Sequence, residues 1–459
     1  MNAIILISIL GIFAMMSEFI GLKKFIYPII LLSLAGILGY NICSFWNNPE
    51  THYGMLNHDN YSVAFGSLLI TITLLWFLLS RESYAAGEFN AGDHYALILF
   101  STVGGLLLVS FTNMSTLFLG VEILSIPLYI LAGSRKKDIR SVEASIKYFI
   151  LGSFATGIML LGIALIYGAT GSFDLAIIKT KIVTLDQPLF YVGITLLSIS
   201  FAFKISAVPF HFWVPDVYGG APTFITAFMS TFVKVAAFGA FYHLVDSIFT
   251  QVPSYLSCTF IGLSALTILV GNLAASYQSN VKRLLAFSGV SQAGYMLMIF
   301  PILTTGSKSS LFVYLAGYAA ANLIAIYVVH TIEKNKGEAT IENFGGLAKS
   351  NPFLAFVMAL SLISLAGIPP AAGFFGKFYL FTEVIKAGYI YLVLIAILGS
   401  LISVYYYFKT IIAMYSESEN THTTTFELGF AKIILVVMSI LVVLIGLFPD
   451  LLLQIGIQI

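Results

Sequence analysis

Charged residues are scarce in this chain: 22 Lys and Arg with 21 Asp and Glu make up 9% of its 459 residues, where a soluble globular chain carries about 25%. So few ionisable groups cannot cover a water-facing surface of this size, and the 59% of hydrophobic residues must face lipid. The soluble class is excluded. The formal net charge is +1 and no basic tract is interleaved with aromatics, so a nucleic-acid partner is set aside as well. Cysteine is almost missing. Cys43 and Cys258 stand far apart inside apolar runs, with no C-x-x-C pair and no His at ligand spacing, which reads as two buried, inert thiols rather than a redox or metal centre. Glycine-rich phosphate loops, dinucleotide fingerprints and a helical His pair able to hold a haem are also lacking, so any electron transfer belongs to a partner.

Long apolar runs are what the chain has in abundance. A membrane helix needs about 20 largely apolar residues, and candidate spans fall near 3–20, 26–46, 61–80, 94–111, 114–132, 141–168, 188–211, 222–244, 253–277, 283–304, 307–331, 352–380, 388–415 and 429–455. The fold class is therefore an all-α membrane protein of about 14 transmembrane helices. The first run has no basic n-region and no small-residue cleavage site, so it reads as a retained span and not a signal peptide. Residues 47–60, 169–187 and 332–351 form the longest loops, each too short for a core of its own. Four lysines, Lys147, Lys204, Lys234 and Lys377, are counted as intramembrane, and basic residues toward span ends are counted with the adjoining loop. Of the other eighteen basic residues, fourteen fall in odd-numbered loops, and Lys179, Lys181, Lys308 and Lys386 fall in even ones. Cytoplasmic loops hold the excess of Lys and Arg, so the odd loops are cytoplasmic and both termini lie on the outer, periplasmic face.

Ionisable groups at membrane depth are expensive, about 2.5 to 3.5 kcal/mol each near a helix centre, and they mark functional sites by default. Five are present: Glu122, Lys147, Lys204, Lys234 and Lys377. A structural ion pair or a side chain reaching an interface also explains such a residue, most readily for Lys147, four residues after Glu143. The other three lysines are flanked on both sides by aromatic or small apolar residues. Burial disfavours an ammonium and a nearby carboxylate favours it, so lysines balanced between the two can pass protons along a file. Two of them stand beside helix breakers, Lys204 before Pro209 and Lys377 after Pro369-Pro370. Proline frees carbonyls and opens space beside the charge. The breaks fall in spans seven and twelve, five apart, as two successive five-span units require, and an odd number of spans makes the second copy inverted. This divides the chain into a three-helix segment 1–93, repeats 94–248 and 249–415, and a C-terminal helix 416–459. Beyond the first break, His211 and Asp216 are candidates for proton relay and for proton intake or release; a solvated loop is the plainer reading of Asp216. Lys282, ahead of a stripe of Ser288, Ser291, Gln292 and Tyr295, is a further relay candidate, although helix packing explains that stripe equally well. His330 borders a loop and reads as structural.

The stretch from Phe203-Lys204-Ile205-Ser206-Ala207-Val208-Pro209-Phe210-His211-Phe212-Trp213-Val214-Pro215-Asp216 to Tyr218, followed by Gly220-Ala221-Pro222-Thr223, resembles the signature of the antiporter-like membrane subunits of respiratory complex I. These are related to subunits of multi-subunit cation/proton antiporters and membrane-bound hydrogenases. Glu122, Lys282-Arg283-Leu284-Leu285-Ala286, Gln292-Ala293-Gly294-Tyr295 and Leu365-Ala366-Gly367-Ile368-Pro369-Pro370 fit the same pattern, over about residues 94 to 410. The resemblance implies a proton-translocating subunit of a bacterial inner-membrane complex with other membrane and peripheral subunits as partners. Such a complex takes electrons from NADH or another donor, with flavin, iron–sulfur clusters and quinone held in other subunits and no cofactor or metal on this chain. It further implies that Glu122 pairs with Lys204 in a first half-channel modulated by Lys147, that Lys234 continues a central polar axis, and that Lys377 serves a second half-channel. The family often has His at the position of Gln292, and a glutamine cannot relay a proton by titrating.

Overall fold

A computed structural model describes residues 2–17, 19, 21–85, 91–182, 188–416, 426 and 428–458. The chain is built almost wholly of helices, because a backbone in lipid must satisfy its own hydrogen bonds. In order these are α1 (Asn2–Met16), α2 (Lys23–Phe45), α3 (Asn60–Ala85), α4 (Ala91–Ser110), α5 (Met114–Ala132), α6 (Ile139–Thr170), α7 (Leu175–Ile182), α8 (Pro188–Lys204), α9 (Trp213–Gly220) and α10 (Thr223–Ile248). They continue as α11 (Ser254–Ser276), α12 (Val281–Leu297), α13 (Thr305–Lys336), α14 (Leu347–Ser350), α15 (Pro352–Ala366), α16 (Ala372–Lys386), α17 (Ile390–Tyr415), α18 (Ala431–Leu447) and α19 (Asp450–Ile457). Among the described residues nine of these, α2 to α6, α10, α11, α13 and α17, are long and apolar enough to cross a membrane. The pair α18 and α19, bent by 76°, makes a tenth, while α1, α8 and α15 are shorter apolar helices.

Both expected breaks are present. Helix α8 stops at Lys204 and helical structure resumes at Trp213; α15 stops at Ala366 and α16 begins at Ala372. A left-handed residue lies in each gap, Ser206 at φ +69° and Gly367 at φ +84°. The loops hold more structure than their lengths advertise. Residues 50–58 form a hairpin of β1 (Glu50–His52) and β2 (Leu56–His58), and α7 lies inside the stretch read as the 169–187 loop. Polar residues and short length hid both from the periodicity of the sequence.

The helices are not equivalent. Every residue of the apolar stretch of α10 is buried, against 28% for α2 and 39% for α6, α11 and α17. Helix α10 is thus the axis of the bundle, and it carries Lys234. The two cysteines correct the sequence reading: Cys43 on α2 and Cys258 on α11 are free thiols exposed on the outside of the bundle. Apolar flanks made them look like core, but in a membrane protein apolar also describes the exterior.

The connections segregate to two ends. At one end, Ser83, Arg135, Asn280 and Glu338, from the ends of α3, α5, α11 and α13, line a common cleft of about 250 Å³. At the other, Leu56 bridges Phe111 and Asn113 bridges Asp174, while Gln458 bonds Trp46 and Asn60. The side chains of Lys23 and Lys24, counted above among the loop cations, and most of the connection opening the 416–459 segment lie outside the described residues.

His58 in the hairpin packs 5.4 Å from the Phe45 ring and 5.5 Å from that of His52. Burial pushes its imidazole down to about 4. The undocked hairpin, with its histidine near 6.5, therefore binds the extra proton first, so docking is fully stable above that value and weakens as pH falls toward 4. Amide exchange at residues 50–58, corrected for intrinsic rates, is expected to accelerate over this window, and His58→Phe should remove the dependence.

Candidate functional site

Lys204, Lys234 and Lys377 are 5%, 1% and 5% exposed, so all three ammonium groups are removed from bulk solvent and must find polar partners inside the bundle. Each finds a different set. At the end of α8, Lys204 donates to Ser125 Oγ at 2.8 Å and Tyr129 Oη at 3.2 Å, both on α5. Glu122 lies on the same α5 stripe, three residues before Ser125 and seven before Tyr129, and is half-buried. Among the described residues no basic group comes within the 4 Å of an ion pair with it, so the expected Glu122–Lys204 contact is replaced here by two hydroxyls.

Lys147 makes ion pairs with Glu143 at 2.6 Å and Asp216 at 2.7 Å. Asp216 is on α9 and also faces Arg283 at 3.9 Å, so one carboxylate is shared by cations from α6 and α12. These residues border a second cleft of about 290 Å³ at the basic end. His211, by contrast, is buried beside the rings of Phe212 and Phe287. Lys282, 5% exposed, donates to the Ala221 carbonyl at 2.8 Å and lies 3.7 Å from Glu333. Thr223 donates to the same Glu333 carboxylate, and His330 bonds Ser83 at 3.0 Å beside it.

Lys234 projects from the middle of α10 and donates to the Gly289 carbonyl of α12. Around it Tyr318 donates to the Ser230 carbonyl and Asn322 to Ser230 Oγ, both at 2.9 Å. One residue from Gly289, Ser288 bonds Tyr407, which accepts from Gln292 at 3.4 Å. Gln292 takes a bond from Tyr314 and gives one to the Leu365 carbonyl at 2.9 Å. That carbonyl is shared with Lys377, 3.3 Å away, which also donates to Ala366 O at 2.9 Å and Ser400 Oγ at 3.2 Å. The break thus provides the site: the last carbonyls of α15, freed where the helix stops, receive the ammonium. Gly367 keeps this path open, since a Cβ there would stand 2.8 Å from the lysine Cδ. The Tyr295 ring lies 4.6 Å from the Lys377 nitrogen, a cation–π distance.

The polar chain from Gln292 to Lys377 is continuous. The Lys204 group is separate from it, with no hydrogen bond among the described residues joining the two. Sequence reasoning found the lysines, Gln292 and the Ser288–Tyr295 stripe, but missed Tyr129, Tyr314, Tyr318, Tyr407 and Glu333. A usable signal existed for two of these, because Tyr314, Tyr318 and Asn322 repeat every four residues along α13. Among the described residues no group of His, Cys, Asp and Glu is placed to hold a metal.

Known proteins resemble this chain in sequence and fold. Residues 112–403 match the family model described as NADH:quinone oxidoreductase/Mrp antiporter, TM. The chain is 81% identical to the NADH-quinone oxidoreductase subunit N of Cytophaga hutchinsonii, with 100% of both chains covered. It superimposes on a chain of respiratory complex I from Thermus thermophilus with a TM-score of 0.84 at 32% identity, over 98% of each. A chain of the Mrp complex from Dietzia shares the fold, with a TM-score of 0.88 over 99% of this chain and 96% of that one, at 21% identity. From the match across more than half its length and the relatives aligned end to end, the chain belongs to the NADH:quinone oxidoreductase/Mrp antiporter family of membrane proteins.

Proposed function

We propose that this chain is the subunit N-type proton-translocating subunit of a bacterial inner-membrane NADH:quinone oxidoreductase, contributing a proton path and none of the redox centres. The observation that carries this reading is the set of three buried amines, each donating to hydroxyl or carbonyl oxygens inside the bundle. Counting α8–α9 and α15–α16 as one broken span each, and adding α1, α12 and α18 to the nine long helices, gives fourteen spans. Two inverted units, 94–248 and 249–415, are supported by parallel packing: α4 lies against α5 and α6 against α8, as α11 lies against α12 and α13 against α15. Tyr129 on α5, beside Lys204, then corresponds to Tyr295 on α12, beside Lys377. The gathering of basic loops at one end supports a cytoplasmic face there and termini on the periplasmic side.

In this mechanism a change at the quinone site in a neighbouring subunit moves Glu122 relative to Lys204. The lysine turns between Glu122 and the Ser125–Tyr129 pair, one helical turn apart on α5. An ammonium left without a counter-charge in a buried site is the costlier state, so its proton passes toward Lys234 and then, through water ordered beside the Tyr407–Gln292 chain, to Lys377 for release on the outer face. Water must bridge the gap between the Lys204 group and Lys234. Gln292 orders the chain through its amide instead of titrating, and Lys147 with Asp216 and Lys282 with Glu333 are the groups at the intake end. Lys204→Ala in the assembled complex is expected to reduce proton movement driven by electron transfer in membrane vesicles; unchanged pumping would refute the role.

The likeness to an Mrp chain supports a second reading, a cation/proton antiporter subunit without redox partners. Purification in mild detergent separates the two. Co-purifying iron–sulfur subunits uphold the first reading, and their absence upholds the second.

A further inference from the structure

We propose that the groove between the start of α4 and the end of α5 is a binding site for an anionic phospholipid, with the phosphate on Arg135, Lys136 and Lys137 and an acyl chain along Leu97 and Ile130. The groove encloses about 970 Å³, room for a headgroup and the upper part of a chain. One wall is apolar and continues onto the outside of the bundle, where Ile130 is 57% exposed. The other is the α5–α6 connection with its three consecutive cations.

Four neighbouring cations at this end have ion-pair partners where these three have none among the described residues. Arg140, Lys147, Lys282 and Arg283 are each ion-paired with Glu338, Glu143 and Asp216, Glu333, and Asp216 respectively. The side chains of Arg135, Lys136 and Lys137 make no ion pair or hydrogen bond among the described residues. The two carboxylates in the groove do not cancel them. Asp138 accepts from the Arg140 amide at 3.0 Å and caps α6, and Asp93 sits in the first turn of α4, where a helix N-terminus already favours negative charge. Unpaired cations at the mouth of an apolar groove, at the level where two membrane helices end, match a diester phosphate carried on lipid chains. Loop charge that only sets topology needs no groove.

The test uses a photo-cross-linkable phosphatidylglycerol in vesicles holding the intact complex, with labelled peptides mapped by mass spectrometry. Labelling is expected within 91–97 and 130–138, and R135Q/K136Q/K137Q should lower it about fivefold or more while labelling elsewhere on the chain persists. Ile130→Trp, which keeps every charge and narrows the groove, should lower it likewise. Equal labelling by a phosphatidylcholine or phosphatidylethanolamine analogue would overturn the proposal. So would labelling indifferent to both variants, suppression by water-soluble glycerol phosphate, or cross-links from the groove to a neighbouring subunit in place of lipid. None of these readouts depends on proton translocation, so the site stands or falls separately from the function proposed above.

Discussion

Lys377→Met is expected to lower proton translocation coupled to electron transfer by roughly 100-fold, the scale of a lost proton-transfer group, while the complex still assembles. Methionine fills a similar volume and is at home in a bundle core, so the helix contacts survive. What disappears is the ammonium that joins the Leu365 and Ala366 carbonyls to Ser400. Gln292 still donates to the Leu365 carbonyl, so the Ala366 carbonyl is the one that loses its donor in a buried site, at about 1 to 3 kcal/mol. Lys377→Arg keeps the charge, but a planar fork cannot reproduce a point charge seated 4.6 Å from the Tyr295 ring, so it should restore only part of the rate. Proton uptake into vesicles, normalised to assembled complex, checks both variants. Full activity in the methionine variant would remove Lys377 from the path.

Gly152→Ala is expected to be nearly as damaging, although residue 152 carries no charge. A Cβ at this position of α6 would stand 2.2 Å from the Tyr129 hydroxyl and 2.6 Å from its ring Cζ. The ring has little freedom to retreat, being packed edge-on against Tyr148 at 4.7 Å and near Phe149 at 5.9 Å. Overpacking of this kind costs about 1 to 3 kcal/mol, and relieving it moves the hydroxyl that holds Lys204. Thermal stability of the complex and proton translocation should therefore fall together. Tyr129→Phe removes the hydroxyl without the clash, so it should weaken translocation and spare stability. The double variant Gly152→Ala with Tyr129→Leu should regain stability without activity. Recovery of both would show that Tyr129 only packs.

The lysines were legible because a charge inside a twenty-residue apolar run has no other reading so direct, and both breaks were legible because a proline close to such a charge weakens the helix there, although Pro28 and Pro127 are carried inside α2 and α5. Lys204's hydroxyl partners were not, because Ser125 and Tyr129 look like ordinary bundle residues until α8 is laid beside α5. Glu333 escaped for a different reason. It sits among the loop charges at the end of α13, and only the fold brings it to Lys282. The thiols at 43 and 258 mark the deepest blind spot: hydropathy tells apolar from polar, yet in a membrane protein the inside and the outside are both apolar.

That same blind spot leaves a practical opening. Because Cys43 and Cys258 sit on the flanks of two different outer helices, the unaltered chain already carries two chemical handles on its perimeter. Both lie close to a helix end, where water can supply the thiolate that alkylation needs, so a maleimide will mark whichever flank is open and spare whichever is shielded by a neighbour, and a single alkylation pattern sketches the seating of this protein among its companions.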